Sequence, residues 1–69
     1  MNKFAERLKE LRIEHNLTQK ALATGIGVTQ AAVARWEAKL QIPNIEIAIK
    51  VATFFDVSTD YLLGLSDYV

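Results

Sequence analysis

The sequence has no cysteine, only one proline and three glycines among its 69 residues. Without cysteine there can be no disulfide or thiolate metal site, and such a composition is typical of a reducing compartment. No apolar run approaches the roughly 18 residues of a membrane span, and no basic start precedes an apolar stretch as in a secretion signal. We therefore expect a soluble, cytoplasmic protein with one small domain over residues 1–69, near the lower size limit for folding alone.

An excess of charge of either sign is also missing, because eight basic residues balance eight acidic ones. This balance argues against a nucleic-acid partner, because proteins that bind nucleic acids usually have an excess of basic residues. The distribution is uneven, however, since all eight basic residues lie within residues 1–50 together with five of the acids. The first fifty residues thus have a net charge of +3 and the remainder −3, which is compatible with nucleic-acid binding by the first part.

The spacing of apolar residues predicts an all-α fold of five short helices. In the first, the basic and acidic side chains are expected to form a solvated, internally paired face that includes Arg7. His15 is expected to be a surface residue that helps to end this helix. Polar residues suited to helix starts stand before the other four helices, namely Thr18, Thr29, Asn44 and Ser58. The predicted helices cover about 3–14, 19–25, 30–38, 45–55 and 59–63.

The fourth predicted helix is apolar on more than one side. Its expected core stripe consists of Ile45, Ala48, Ile49, Ala52 and Phe55. Leu40, Ile42, Ile47 and Phe54 are apolar at positions where some exposure is expected, and an exposed apolar patch usually marks a partner. For Phe54 in particular, filling a small core is the alternative.

The sequence offers no set of residues for catalysis or metal binding. His15 is the only histidine and has no carboxylate or thiol at ligand spacing. The glycines of TGIG lack the strand and the glycine or lysine pattern of a phosphate loop. No nucleophile, base and acid can be assembled from the remaining polar residues. We expect neither an enzyme nor a cofactor or metal.

Residues 19 to 36 have the spacing of two helices that cross steeply through a tight turn. Such a turn needs a small residue at the crossing, here Ala23, and a glycine in a left-handed conformation, here Gly27. Val28, Val33 and Trp36 follow at positions that would pack the second helix against the first. Gly25 then lies in the last turn of the preceding helix, which it is expected to loosen by about 1 kcal/mol relative to alanine.

The order of Arg12, LTQKALA, GVTQAAVARWE, Pro43 and VSTDYLLG resembles the lambda-repressor-like helix-turn-helix family, of the phage-repressor and Cro type, also called XRE. The resemblance covers the chain from about Phe4 to Gly64. It implies a five-helix DNA-binding domain with its helix-turn-helix over about 18–38. The third helix would lie in the major groove, and the protein would usually act as a dimer on a two-part operator.

The resemblance also implies roles for individual residues. Gln19 would hold a phosphate, Gln30 would pair with adenine, and Arg12 with Glu37 would form a partly buried structural pair. The implied DNA-binding positions are Gln19, Thr29, Gln30, Ala31, Ala34, Arg35, Lys39 and Asn44. The implied dimer surface consists of Phe54, Tyr61, Leu65, Tyr68 and Val69.

We therefore expect a sequence-specific regulator that binds double-stranded DNA as a homodimer, of the repressor type found in prophages or mobile elements. No ligand domain is evident in 69 residues, so control is expected through protein concentration, a partner or proteolysis. The alternative is a protein-interaction module of the same fold, antitoxin-like or anti-repressor, with weak DNA binding. The net charge of zero and the alanine-rich third helix favour this alternative, whereas Gln19, Thr29, Gln30 and Arg35 together favour DNA. In the connector 38–42, Lys39 is the only charged residue, so a single domain is expected to bind DNA weakly and dimerisation would have to compensate.

Overall fold

The computed structural model describes residues 3–69, and this part of the chain folds into five α-helices without a strand. The predicted all-α architecture is confirmed, and helix bounds differ from the expected ones by one residue at most. No helix among the described residues has the length and apolarity needed to cross a membrane. The helices are α1 (Phe4–Glu14), α2 (Gln19–Ile26), α3 (Gln30–Glu37), α4 (Ile45–Phe55) and α5 (Thr59–Leu63).

Helices α2 to α5 are each preceded by a polar residue whose side-chain oxygen accepts a hydrogen bond from the backbone N–H three residues later. This bond satisfies one of the donors that lack a partner within the helix, and each such cap typically stabilises by about 1 kcal/mol. The four predicted caps are thus confirmed. They are Thr18, Thr29, Asn44 and Ser58, with bonds of 3.0, 3.1, 2.9 and 3.0 Å.

The turn between α2 and α3 is made at Gly27, as predicted. Its φ of 78° is left-handed. A residue with a β-carbon is unfavourable in this conformation, whereas glycine adopts it readily. The backbone N–H groups of Gly27 and Val28 both donate to the carbonyl of Ala23. Ala23 is buried, so a small side chain occupies the crossing of the two helices.

Val33 and Trp36 fix α3 on the rest of the protein. Val33 is fully buried and Trp36 is 4% exposed. The Trp36 ring meets Phe4 of α1 edge to face, with ring centroids 6.1 Å apart, an arrangement that adds about 0.5–1.5 kcal/mol to the burial itself. The predicted core role of both residues is confirmed, and the face of α3 opposite to them is left for solvent.

The expected core stripe of α4 is partly wrong. Ile45 and Ile49 are 78% and 50% exposed, whereas Val51, absent from the expected stripe, is fully buried. Because α4 is apolar on most sides, its spacing alone does not identify the buried face. Contacts with α2 and α5 determine it instead, and they select Ala48, Val51, Ala52 and Phe55.

The expected solvated face of α1 is wrong at Arg7, which is only 8% exposed. Its Nη1 donates to the carbonyl oxygens of Tyr61 (2.5 Å) and Ser66 (2.6 Å), and its Nη2 contacts Asp67 at 3.0 Å. Its guanidinium carbon also lies 4.1 Å from the centroid of the Tyr61 ring, in cation–π range. The expected pairing within α1 is replaced too, since Glu6 pairs with Lys39.

Gly25 also has a packing role, because the ring of Phe54 occupies the space that a side chain at position 25 would need. A β-carbon at Gly25 would lie 2.6 Å from Cε1 of Phe54. Phe54 itself is 41% exposed and meets Phe55 edge to face. Helices α2 and α4 border an open groove of about 410 Å³ beside this contact. The groove is lined by Gly25, Ile26, Ile49, Lys50, Thr53 and Phe54.

Candidate nucleic-acid interface

The first turn of α3 presents its side chains to solvent on a rigid support. Gln30 and Ala31 are exposed, Thr29 is exposed while capping the helix, and Ala34 is half-buried one turn later. Because the opposite side of α3 is held in the core, these side chains have fixed starting positions on the protein surface. Such an arrangement can offer hydrogen-bond groups and methyl groups to a partner without refolding.

Arg35, in the last turn of α3, is held by the connector that follows. Its Nε donates to Oε1 of Gln41 at 2.9 Å, and both residues are exposed. This bond uses one of the five donors of the guanidinium and leaves the two terminal nitrogens for an acceptor outside the protein. The sequence did not single out Gln41, because a polar residue in a connector carries no signal of its partner.

Gln19, Arg12 and Glu37 come together at the start of α2. Arg12 and Glu37 form a two-point ion pair, with Nε–Oε2 at 2.6 Å and Nη2–Oε1 at 3.0 Å. Their side chains are only 14% and 6% exposed. Gln19 Nε2 donates to the same Glu37 Oε1 at 3.2 Å. Among residues 3–69, every buried side-chain nitrogen and oxygen has a hydrogen-bond partner, as a buried ion pair requires.

The hydrogen bond from Arg12 to Glu37 raises the pKa of the guanidinium, although burial opposes this effect. A base with a raised pKa in the folded state contributes stability below its unfolded pKa and loses it only as the pH rises through the folded pKa. For arginine that range lies above neutral pH. The Arg12 guanidinium is therefore charged at neutral pH.

The other two expected DNA contacts, Lys39 and Asn44, already have protein partners. Lys39 adopts a left-handed φ of 62° just after α3, and its Nζ lies 3.4 Å from Glu6 Oε1. Both side chains of this pair are more than half exposed, so water or salt can separate them readily. Asn44 Oδ1 caps α4, which leaves its amide nitrogen for another acceptor.

The residues expected at a dimer surface lie in different environments. Leu65, Tyr68 and Val69 are 75%, 85% and 74% exposed. Tyr61 is half-buried beneath Arg7, and Phe54 packs on Gly25 and Phe55. The exposed isoleucines of α4 were missed, since helical spacing assigned them to the core.

The described residues contain no group of three or more histidine, cysteine, aspartate or glutamate side chains that could hold a metal ion. His15 ends α1, with Nδ1 2.8 Å from the carbonyl oxygen of Leu11 and its ring against Phe55. The expected structural role of His15 accounts for these contacts.

The sequence and the fold match known proteins over most of the chain. The family model HTH_3, described as helix-turn-helix, matches residues 8–62. The HTH-type transcriptional regulator YobD of Bacillus subtilis, itself uncharacterized, is 38% identical over 64 residues, which cover 93% of this chain and 57% of YobD. The chain spans about half the length of most curated relatives that it matches.

Two solved structures superpose closely on the five helices. A transcriptional regulator from Listeria innocua has a TM-score of 0.88 and 35% identity, over 100% of this chain and 64% of that protein. The P22 c2 repressor in complex with a synthetic operator has a TM-score of 0.83 and 32% identity, over 87% of this chain and 91% of that one. The chain therefore belongs to the HTH_3 family of lambda-repressor-like, XRE-type helix-turn-helix proteins, which are transcriptional regulators and not enzymes.

Proposed function

We propose that this protein is a transcriptional regulator that binds double-stranded DNA in a sequence-specific way, with its helix-turn-helix over about 18–38. The observation that carries the proposal is the exposed first turn of α3, supported from behind by buried Val33 and Trp36. An α-helix of this kind fits the major groove, where each base pair presents a distinct pattern of donors and acceptors.

In this proposal the base contacts come from few side chains. Gln30 pairs with adenine through its amide, and Arg35 offers its terminal nitrogens to a guanine or a phosphate. The methyl groups of Ala31 and Ala34 pack on thymine methyls and let the helix approach the groove floor. A reader with so few hydrogen bonds should favour A·T pairs and should depend on the shape of the duplex.

The phosphate contacts are assigned to Gln19, Thr29, Lys39 and Asn44, with help from the N-terminal amides of α2. Only Lys39 among these has a charge, and DNA would have to compete with Glu6 for it. The affinity of one domain should therefore be low, and the logarithm of affinity should fall with that of salt with a slope near 0.9 per neutralised phosphate. Few ionic contacts predict a shallow slope.

A homodimer would compensate for weak single contacts. Two copies of α3 separated by about 34 Å can read half-sites one helical turn apart on one face of the duplex. The proposed dimer surface consists of Phe54, Tyr61, Leu65, Tyr68 and Val69. Occupancy of such an operator would block polymerase or a competing regulator, which makes the protein a repressor. Likeness to the P22 c2 repressor supports the phage-derived type, and a repressor of this kind acts in the cytoplasm.

Selection of bound duplexes from a random-sequence library tests the proposal. We expect enrichment of a palindrome whose half-sites are centred about 10 base pairs apart. The selected duplex and a scrambled duplex of equal composition then serve as a matched pair of probes. Lys39→Ala should weaken binding to both probes by the same factor, because a phosphate contact carries no sequence information.

The alternative function is a protein-interaction module of the same fold. It is favoured by the exposed apolar side chains of Leu40, Ile42, Ile45 and Ile49 and by the net charge of zero. An apolar patch of this kind is typical of a protein partner. If the library shows no enrichment while the protein remains folded, the alternative is supported and the DNA-reading proposal is refuted.

A further inference from the structure

Arg12 organises the beginning of α2 from within the protein. Its Nε and Nη2 bind both oxygens of Glu37, and its Nη1 donates to the carbonyl oxygen of Leu17 at 2.8 Å. Leu17 directly precedes Thr18, the cap of α2. A single planar guanidinium therefore ties the start of α2 to the last residue of α3, and the rigid fork of arginine makes both ties directional.

Glu37 connects the Arg12 ion pair to Gln19. Glu37 Oε1 accepts a hydrogen bond from Gln19 Nε2, and Gln19 is half-buried at the first position of α2. A glutamine amide has two N–H donors and one acceptor oxygen. One donor is bound to Glu37, so the second N–H remains for a phosphate, on a side chain whose rotamer is already fixed.

Charge explains why Arg12 must belong to this arrangement. A carboxylate in contact with a phosphate-binding amide would repel the phosphate if it were unpaired. The two-point contact with Arg12 offsets the negative charge of Glu37 while leaving Oε1 able to accept from Gln19. Because Glu37 belongs to α3, the same contact also fixes Gln19 relative to Gln30, seven residues earlier on that helix.

We infer that Glu37, held by Arg12, is a positioning residue that presents the Gln19 amide to a DNA phosphate and fixes it relative to the base-contacting turn of α3. This role rests on the proposed DNA-binding function. A purely structural ion pair would not have this effect. In the inferred role, the affinity for DNA depends on the Arg12–Glu37 pair through the Gln19 side chain. Fixing a side chain before binding lowers the ordering cost of the complex.

A double-mutant cycle on the full chain tests the inference. The variants are Gln19→Ala, the paired replacement Arg12→Met with Glu37→Met, and all three changes together; the pair is replaced as a unit so that no buried charge is left alone. Affinity is measured by fluorescence anisotropy with the library-selected duplex and its scrambled counterpart. Gln19→Ala should weaken both by about tenfold, the scale of a hydrogen bond to a charged group.

Replacing the pair should weaken both probes by about threefold to tenfold, and it should have no further effect once Gln19 is alanine. Independent losses that multiply in the triple variant would overturn the inference, as would unchanged affinity after pair replacement. Glu37→Gln alone would leave the Arg12 charge without its carboxylate partner. The control is therefore Ile13→Ala, at an exposed side chain of α1, which should keep affinity within about twofold.

A measurement without DNA keeps the inference testable if the paired replacement does not fold. In the NMR spectrum of the wild-type protein, the side-chain amide of Gln19 should be shifted from the position of a free glutamine and should exchange slowly with water. Resonances at the free position would refute the positioning of Gln19. Absence of binding to any duplex by the wild-type protein would instead refute the proposed function, whereas multiplying losses with normal wild-type binding would refute only the role of Glu37.

Discussion

Replacing Gly25 with alanine sets two effects of similar size against each other. Alanine is favoured over glycine within a helix by about 1 kcal/mol, and Gly25 lies inside α2. The added β-carbon, however, would lie 2.6 Å from Cε1 and 3.0 Å from Cζ of Phe54. Carbon atoms in contact are normally about 3.5–4.0 Å apart, so the ring has to move by about 1 Å.

The cost of that movement follows from the surroundings of the ring. Phe54 meets Phe55 edge to face at a centroid distance of 5.1 Å, a contact worth about 0.5–1.5 kcal/mol beyond burial. Overpacking a filled site costs about 1–3 kcal/mol, and the 41% exposure of Phe54 lets the ring yield toward solvent, so the lower half of that range applies. The clash should cancel or outweigh the helix gain of about 1 kcal/mol, so Gly25→Ala should destabilise the protein by about 0–1 kcal/mol.

Urea unfolding followed by the fluorescence of buried Trp36 measures this balance, at one fixed protein concentration. In a Phe54→Ala background the clash is gone, and Gly25→Ala should then stabilise by about 1 kcal/mol. The matched control is Thr24→Ala, an exposed position in the same turn, which should change stability equally in both backgrounds. If Gly25→Ala stabilised the protein to the same extent with and without the Phe54 ring, the steric argument would be refuted.

Three further predictions concern single contacts. Arg7→Met should destabilise by about 2–3 kcal/mol in thermal unfolding, because it removes the hydrogen bonds from a charged donor to the part-buried carbonyl oxygens of Tyr61 and Ser66, whereas Asp67→Asn should change little at a side chain that is 89% exposed; equal effects would show that the exposed ion pair and not the carbonyl contacts matters. Phe54→Asp should give a monomer in sedimentation velocity while Ile13→Asp, an exposed apolar site on α1, leaves the dimer intact; a dimer in both variants would exclude Phe54 from the interface. Gln30→Ala should lose about 1–3 kcal/mol of binding free energy on the selected duplex and relax preference at one base pair, and an equal loss on every sequence would exclude base reading.

Local features of this fold could be predicted from sequence because their causes are local. A capping residue acts within three positions, so Thr18, Thr29, Asn44 and Ser58 predict the helix starts without any information on packing. Gly27 was identifiable for the same reason, since a left-handed residue at a helix end has a strong preference for glycine. Gly27 and Thr29 also locate the start of α3. The proposed DNA contact rests on the exposed first turn of this helix.

The two wrong predictions concern the direction in which a side chain faces. The sequence predicts a solvated Arg7 on α1, but the partners of Arg7 are 54 to 60 positions away, and nothing near it in sequence indicates them. Helical spacing predicts Ile45 and Ile49 in the core, but α4 is apolar almost all round. The buried side of such a helix depends on which neighbouring helices pack against it. Side-chain spacing within the helix contains no information about those neighbours.

The contacts of Arg7 also determine how the protein can open. Helix α5 has five residues, too few to persist by itself, and it is held to α1 by Arg7 and by the bond from the Lys3 N–H to the Leu63 carbonyl at 3.2 Å. Fraying of α5 would therefore break hydrogen bonds to α1 and its cap. We therefore expect α1 and α5 to open together, so that unfolding of α1 would also release the segment around Ser66, whose carbonyl oxygen Arg7 binds.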